Sequence, residues 1–303
     1  MRWRAGNPLP QSTPPAAPPP SGVSRVSPVT FDGSSPLTAI DGGSRVNLLF
    51  HDVFVTDPAE SGFQSPSADR YKLSVGQFDA HLAALASLAS PALPFSLTFD
   101  DGGESYYTQI ADRLDRLDWR AHCFVPTDFI DRPGFLTRQQ IRELAARGHY
   151  LGAHSASHPA RMSGCSAEVL RNEWTESVNV LQDILGRAVR LASVPGGYYS
   201  RAVAEAAAEA GIRTLFTSEP VTHHSVVGPC TIVGRFAIRR FNAPTLCAQL
   251  VRSAPWTRWA MWTDWNVKAL CKPVLGPAYT CVADWLMAQK TTPRDAHSLG
   301  GKP

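Results

Sequence analysis

The 303-residue chain lacks three features that would each assign it to a large class of proteins. No uninterrupted apolar stretch approaches the length of about 18 residues that a membrane-spanning helix needs. No block of lysine and arginine is present and the net charge is only +3, so nucleic acid is not an implied partner. No G-x-G-x-x-G or G-K-[ST] motif follows an apolar run, which argues against dinucleotide and nucleotide binding.

Cysteines are few, widely scattered and never arranged as C-x-x-C. Their spacing predicts buried thiols in a reducing compartment, although a disulfide remains an alternative. The six are Cys123, Cys165, Cys230, Cys247, Cys271 and Cys281.

The two ends of the chain differ in composition from its middle. Seven of the 25 prolines fall within the first 20 residues, and we predict that residues 1–44 are mostly disordered. Residues 291–303 are predicted to be a disordered tail, and residues 45–290 a single barrel with a C-terminal helical extension. The Met-Arg-Trp-Arg start has no apolar segment typical of a signal peptide, which predicts a cytoplasmic protein, or an exported one if the true start lies upstream.

Short apolar runs alternate with amphipathic stretches along residues 46–236. The runs are VNLLF (46–50), FSLTF (95–99), AHCFV (121–125), YLGA (150–153), VRLASV (189–194), RTLFT (213–217) and TIVGRF (231–236). Helical spacing of apolar residues between them includes Phe78, Leu82 and Leu85 after a Ser74 cap. This alternation predicts an α/β fold with helical crossovers, and seven parallel strands favour a TIM-like (β/α) barrel over an open sheet.

The run FSLTF is followed by Asp100, Asp101, Gly102 and Gly103. Adjacent residues on a strand point to opposite faces, so the two carboxylates cannot share one environment. Asp-Asp-Gly-Gly is also favourable turn chemistry, which is the simpler explanation. However, catalytic groups of α/β folds lie at the carboxyl ends of strands, where these two aspartates are expected.

A histidine pair follows the run YLGA. His154 and His158 are four residues apart, so one helical turn would place both imidazoles on one side. Two imidazoles and a carboxylate form a ligand set typical of catalytic Zn²⁺, and also suit Co²⁺ or Ni²⁺. Exposed loop histidines are an equally good explanation of this pair alone. A serine hydrolase centred on Ser155 is less favoured, because the chain has no G-x-S-x-G elbow.

Together these segments resemble the polysaccharide deacetylases, carbohydrate esterase family 4, whose shared module is the NodB homology domain. TFDDG (98–102) and HSASH (154–158) resemble the first two motifs of that family, and VPGGYY (194–199) resembles its third. The resemblance covers about residues 46–240. It implies a distorted (β/α) barrel and metal-dependent hydrolysis of N-acetyl groups on amino sugars.

The resemblance also implies roles for individual residues. Asp101, His154 and His158 would be the metal ligands, and Asp100 the general base that activates water. Gly102 and Gly103 would allow a tight turn that leaves room for a sugar.

The third motif implies that the backbone at Gly197 and Tyr198 faces the oxyanion or the substrate. Packing of the two tyrosines at the barrel rim is an equally good explanation. The chain also departs from the family here, because Ser193 and Val194 occupy the stretch where an arginine is usual. Arg235 is our candidate for the arginine that braces the base.

A second departure concerns the late strand that usually ends in a histidine, the acid that protonates the leaving amine. IRRFNAPTLCAQLV (238–251) contains no histidine, and His223 and His224 are predicted to lie in a surface loop. The strand VNLLF, which ends in His51, resembles the missing strand moved to the front, as in circularly permuted branches of the family. His51 is therefore our candidate acid, unless it only caps the strand by bonding a backbone carbonyl.

Four of the eight tryptophans lie close together at positions 256, 259, 262 and 265. They predict either helical packing against the barrel or a sugar-stacking surface. The complete prediction is a metal-dependent hydrolase, most simply with zinc, that deacetylates a polysaccharide or oligosaccharide. A metal amidohydrolase of a small non-sugar amide and a non-catalytic carbohydrate-binding barrel are the alternatives.

Overall fold

A nine-stranded sheet forms the centre of the protein in the computed structural model, which describes residues 46–88, 95–252 and 254–267. The strands in chain order are β1 (Val46–Phe50), β2 (Val53–Phe54), β3 (Leu73–Ser74), β4 (Phe95–Phe99), β5 (His122–Val125), β6 (Tyr150–Ala153), β7 (Leu191–Ser193), β8 (Thr214–Phe216), β9 (His224–Val227), β10 (Cys230–Val233) and β11 (Phe236–Ala237). β2 pairs only with β3, and the other nine strands form the sheet. The segments 1–44 and 291–303, with Cys271 and Cys281, lie outside the described residues.

The sheet is mostly parallel and curls into a partial barrel. The strand order is β11-β1-β4-β5-β6-β7-β8-β10-β9, parallel throughout except where β9 pairs with β10. β10 pairs with β8, and β11, which begins three residues after β10 ends, pairs with β1. The segment from β10 to β11 therefore connects the two opposite ends of the strand order. The predicted α/β class and barrel-like parallel sheet are confirmed.

The predicted strand TIVGRF is interrupted at Gly234 and Arg235. The Arg235 N–H donates to the Glu219 carbonyl at 2.8 Å, and the Gly234 carbonyl accepts from the Asn47 side chain at 3.1 Å. A side chain at Gly234 would overlap Glu219 and Val221. These contacts with neighbouring loops take the place of ladder hydrogen bonds, so the segment forms two short strands instead of one.

Helices lie between the strands, as the apolar spacing predicts. They are α1 (Pro66–Asp69), α2 (Val75–Ala86), α3 (Ala111–Arg116), α4 (Arg138–Ala146), α5 (Ala167–Leu185), α6 (Arg201–Glu209), α7 (Thr245–Val251) and α8, which includes residues 255–267. The predicted Ser74 cap of α2 is confirmed, because its hydroxyl accepts from the Gln77 N–H. None of the described helices is long and apolar enough to cross a bilayer.

Aromatic packing holds β1 and β4 side by side beneath α2. The Phe50 ring stacks on Phe99 with centroids 5.5 Å apart, and Phe78 of α2 meets both rings edge-on. All three side chains are buried. Because Phe50 precedes His51 and Phe99 precedes Asp100, this packing also sets the positions of both polar residues.

The cysteines of the described residues are free thiols. Cys123, Cys230 and Cys247 are buried as predicted, whereas Cys165 is only partly buried. Burial raises the pKa of the Cys230 thiol to about 11, so this cysteine is protonated and unreactive at neutral pH.

Candidate active site

Asp100 and Asp101 lie at the carboxyl end of β4 and face different partners. Asp100 forms an ion pair with Arg235, whereas Asp101 lies against two histidines. The backbone turns at this point, with Asp101 at φ 73° and Gly102 at φ 60°. A left-handed conformation is unusual for aspartate and is typical of functional sites. The turn expected from the Asp-Asp-Gly-Gly pattern therefore exists, and it separates the two carboxylates.

His154 and His158 meet through a loop that follows β6, not through the helical turn that their spacing suggests. Ser155 and His158 have positive φ values of 61° and 56°, which no helix contains. The Ser155 hydroxyl accepts from the His158 N–H at 3.1 Å, so this serine closes the loop. The two imidazole centroids are 5.1 Å apart. The prediction that the rings share one side holds, but its proposed reason was wrong.

Asp101, His154 and His158 bring one ligand atom each to a common point. Asp101 Oδ1 lies 3.4 Å from the Nε2 atoms of both histidines. The three ligand atoms all lie within 4.8 Å of one another, and among the described residues no other group of His, Cys, Asp or Glu forms such a cluster. The donors fit a divalent cation such as zinc, which prefers imidazole and carboxylate ligands.

The charges in this cluster also fit a cation. Burial raises the pKa of Asp101, but hydrogen bonds from both histidines outweigh burial and hold it well below its usual range. Burial lowers the pKa of His158, but the hydrogen bond and charge of Asp101 raise it above its usual value. A bound cation would therefore replace a proton on His158.

Ser193, the last residue of β7, orients both His154 and Asp100, and sequence reasoning did not assign it a role. Its hydroxyl lies 2.6 Å from His154 Nδ1 and donates to Asp100 Oδ1 at 3.0 Å. Its carbonyl lies 3.0 Å from the same Nδ1. Because Nδ1 is engaged here, Nε2 is the atom that faces Asp101. The position of Ser193 at a strand end was the only signal that could have identified it.

Arg235 is fully buried and also holds Asp100. Its two terminal nitrogens donate to the two carboxylate oxygens of Asp100 at 2.7 and 2.8 Å, and Nε donates to the Thr217 carbonyl at 2.9 Å. Burial raises the pKa of Asp100, but the charge of Arg235 outweighs burial and lowers the pKa below its usual range. The contact expected between the candidate arginine and the candidate base is therefore present.

His51 lies beside both aspartates at the end of β1. Phe50 pairs with Phe99, and the Asp100 N–H donates to the Phe50 carbonyl at 3.1 Å. His51 and Asp100 therefore follow adjacent strand ends. The His51 ring packs on Tyr71 with centroids 4.8 Å apart. Nδ1 of His51 is buried without a hydrogen-bond partner among the described residues, so this atom bonds no backbone carbonyl there. The structure thus brings the front strand next to the aspartates, as the permuted arrangement requires.

Asp52, the neighbour of His51, explains why position 103 is a glycine. It accepts hydrogen bonds from the hydroxyls of Ser61 and Ser105, both at 2.7 Å. A side chain at Gly103 would overlap the Asp52 carboxylate. Gly103 is therefore needed for close packing on a buried carboxylate, whereas Gly102 adopts the positive φ of the turn.

Glu173 on α5 is a second residue that sequence reasoning missed. Its carboxylate accepts from the backbone N–H groups of Ala156 and Ser157 at 2.9 Å, between the two histidines. It therefore holds the loop that presents His154 and His158. No local pattern distinguishes Glu173 from the other acidic residues of α5.

The remaining candidates lie outside this cluster of contacts. The N–H groups of Gly197 and Tyr198 lie 3.4 Å from the Val194 and Pro195 carbonyls, in a tight turn after β7. Their role toward an oxyanion or substrate stays a prediction. His223 and His224 are both exposed, and His224 begins the edge strand β9, so only His223 lies in the predicted surface loop.

Comparison with known proteins identifies the central part of the chain. The profile of the polysaccharide deacetylase family matches residues 90–215. This region belongs to the polysaccharide deacetylase family. It includes the two aspartates and both histidines of the cluster, whereas His51 and Arg235 lie outside the matched residues.

Relatives in sequence align over part of their length. A peptidoglycan-N-acetylglucosamine deacetylase of Bacillus cereus is 32% identical over 124 residues, which are 41% of this chain and 55% of that protein. A Bacillus subtilis relative is 25% identical over 124 residues, which are 44% of its length. Each alignment thus spans about half of the length of the curated relative.

Solved structures share the fold. The Streptococcus pyogenes deacetylase PplD, determined in complex with acetate, has a TM-score of 0.57 at 21% identity, over 68% of this chain and 97% of that one. IcaB from Ammonifex degensii has a TM-score of 0.56 at 21% identity, with the same two coverages. At this identity the likeness concerns the fold.

Proposed function

We propose that this protein is a metal-dependent hydrolase that removes N-acetyl groups from the amino sugars of a polysaccharide or oligosaccharide. The observation that carries the proposal is the largely buried cluster of Asp101, His154 and His158 beside the Asp100–Arg235 ion pair. N-acetylglucosamine is the sugar we favour, because the Bacillus cereus relative is named for it. We propose zinc as the cation, since the donors are two imidazoles and one carboxylate.

Three side chains of the cluster would hold the cation, and others would move protons. When bound, a divalent cation supplies Lewis-acid chemistry, which lowers the pKa of water and polarises an acetyl carbonyl. Asp100 is the proposed base, and its Oδ2, 3.9 Å from His154 Nε2, is the oxygen nearer the cluster. Arg235 keeps Asp100 ionised and fixed in orientation, so it can accept a proton from water.

His51 is the proposed acid that protonates the leaving amine. His51 follows β1, and the loop with His154 and His158 follows β6. In the sheet order, β4 with its two aspartates lies between β1 and β6, so His51 is on the other side of the aspartates from that loop. A histidine is suited to proton donation near neutral pH. The Nδ1 atom of His51 has no hydrogen-bond partner among the described residues, so no side chain or carbonyl there occupies that atom.

Two contacts support the deacetylase over the alternative functions. A small-amide hydrolase was attractive because the usual arginine is missing from the third motif and the net charge is mild, whereas the ion pair of Arg235 with Asp100 supports the deacetylase. A non-catalytic barrel was attractive because the late motifs are incomplete and tryptophans cluster there, whereas the nearness of His51 to the aspartates supports catalysis. We therefore favour an active deacetylase.

The deciding experiment measures acetate released from oligomers of N-acetylglucosamine. Protein is stripped with a chelator, assayed, and then reloaded separately with Zn²⁺, Co²⁺ or Ni²⁺. We expect activity to disappear on stripping and to return on reloading, with Asp101→Ala as an inactive control at every metal concentration. Full activity in the stripped protein would overturn the proposal, and turnover of small amides without acetate release from the oligomers would favour the amidohydrolase.

A further inference from the structure

A cavity of about 550 Å³ lies between α8 and the loops that follow β8 and β11. Its lining includes Ser218, Arg239, Asn242, Trp256, Asp264 and Trp265, and we call it the Trp256 groove. Its volume falls within the range of about 300–1,000 Å³ that is usual for ligand pockets. The site described above does not use any of these side chains.

The Trp256 groove lies on the same side of the barrel as the cluster. Its lining residue Ala237 pairs with Leu49, two residues before His51. The guanidinium of Arg239 lies 5.9 Å from the centre of the Tyr71 ring, and that ring lies 4.8 Å from His51. Two ring contacts therefore connect the groove to the proposed acid.

The lining combines aromatic rings with paired polar groups. Trp256 is 78% exposed, an unusual exposure for so large an apolar side chain. Arg239 and Asp264 form an ion pair at 3.6 Å, so their charges cancel. A neutral sugar chain suits such a surface, since its C–H faces stack on indole rings while its hydroxyls bond guanidinium, carboxylate and amide groups. An anionic ligand or lipid surface would need uncompensated positive charge.

We propose that the Trp256 groove is a saccharide subsite. It binds sugar residues of a glycan chain beside the N-acetyl sugar that lies at the cluster. This inference rests on the proposed function and extends it, because it assigns a binding surface to the sugar residues next to the one that is deacetylated. Trp256 is the stacking residue, and Arg239 with Asp264 bonds the hydroxyls.

The test compares Trp256→Ala with Trp262→Ala. Trp262 is on the same helix and is 41% exposed, but it does not line the groove. Binding of a hexamer of N-acetylglucosamine to metal-stripped protein is measured by calorimetry, and acetate release is measured with the hexamer and with the monosaccharide. We expect Trp256→Ala to weaken hexamer binding and to raise KM for the hexamer about tenfold. Its kcat and its rate on the monosaccharide should match those of Trp262→Ala and the unmodified protein.

The two readouts separate this inference from the proposed function. Loss of hexamer binding only in Trp256→Ala supports the subsite even if no acetate is released. Acetate release with equal hexamer binding and equal KM in both variants overturns the subsite and leaves the deacetylase intact. Absence of hexamer binding by the unmodified protein also overturns the subsite. The same holds if the unmodified protein binds phosphatidylcholine vesicles and both variants lose that binding.

Discussion

The two ends of strand β6 each carry a buried histidine beside a carboxylate, yet their chemistry differs. His149 directly precedes the strand, and His154 directly follows it. His149 Nδ1 lies 2.9 Å from the Tyr106 hydroxyl, and its Nε2 lies 3.3 Å from Asp115. His154 lies against Asp101 and a second histidine.

The carboxylates explain the difference. Asp115 forms ion pairs with Arg120 at 3.0 Å and Arg147 at 2.7 Å, so its charge is already compensated. Among the described residues, the ion-pair partners of Asp101 are His154 and His158. A carboxylate that faces imidazoles instead of arginines has a negative charge that a cation can compensate. A buried His–Asp contact alone is therefore a poor indicator of a metal site, and the other partners of the carboxylate must be counted.

Removing a ligand from the carboxyl-end cluster should have the largest effect. Asp101→Ala, His154→Ala and His158→Ala should each lose bound metal, and with it detectable turnover, because each removes one of three ligands. The same measurement on His149→Gln should give normal metal content, since that residue lies at the other end of β6. Metal content by elemental analysis checks both.

Asp100→Asn separates the neighbouring aspartates within the same experiment. It should keep the metal and lose turnover, because an amide cannot act as a base. If Asp100→Asn lost the metal while Asp101→Asn kept it, the two roles would be reversed.

His51→Ala should rank next. It should keep its metal and lose about 10²–10⁴-fold in kcat, with a flatter alkaline limb of the pH profile, because a general acid is removed. Near-normal activity in His51→Ala, together with inactivity of His223→Ala or His224→Ala, would assign the acid to the later segment and contradict the permuted arrangement.

Arg235→Met compares buried and exposed arginines. It leaves the buried Asp100 carboxylate unpaired, so the free energy of unfolding should fall by about 3–5 kcal/mol. The acid limb of any remaining activity should move to higher pH, because Arg235 lowers the pKa of Asp100. Arg201→Met should cost less than about 1 kcal/mol, since its ion pair with Glu205 is at the surface. Equal losses by urea denaturation would contradict this distinction.

His149 predicts acid sensitivity at the amino end of β6. Burial lowers its pKa from 6.5 to about 4, so the folded protein binds this proton more weakly than the unfolded chain. The free energy of unfolding should therefore fall as the pH drops from 6.5 towards 4, by about 2 kcal/mol from this residue. His149→Gln should reduce the difference in stability between pH 7 and pH 4.5. An unchanged difference would exclude His149 as its source.

Asp52→Asn should have the smallest effect. Its Oδ1 would still accept from Ser61 and Ser105, so the free energy of unfolding should change by less than about 1 kcal/mol. Burial raises the pKa of the Asp52 carboxyl, so losing the charge removes a desolvation cost. Gly103→Ala should be more disruptive by about 1–3 kcal/mol, because its methyl group would overlap the same carboxylate. Thermal denaturation of both variants checks this order.

The strands and the candidate ligands could be predicted from sequence because their signals are local. Runs such as VNLLF and FSLTF have the composition of buried strands, and both form at the predicted residues. The parallel fold then places the residues after each strand at one edge of the sheet, which is why Asp101, His154 and His158 could be grouped. The family resemblance adds roles to the same positions.

Tertiary structure alone decided which groups compensate one another. Arg235 and Asp100 are 135 positions apart, and Arg235 was a candidate only through the family resemblance, because no local pattern pairs the two residues. Ser193 orients His154 from 39 positions away, and Asp52 requires Gly103 to lack a side chain. The loop carrying the histidines has positive φ values where their spacing suggested a helix. The sequence thus determined which chemical groups reach the rim of the barrel, and packing between distant segments determined how each is oriented and charged, because hydrogen bonds and ion pairs depend on distances in space.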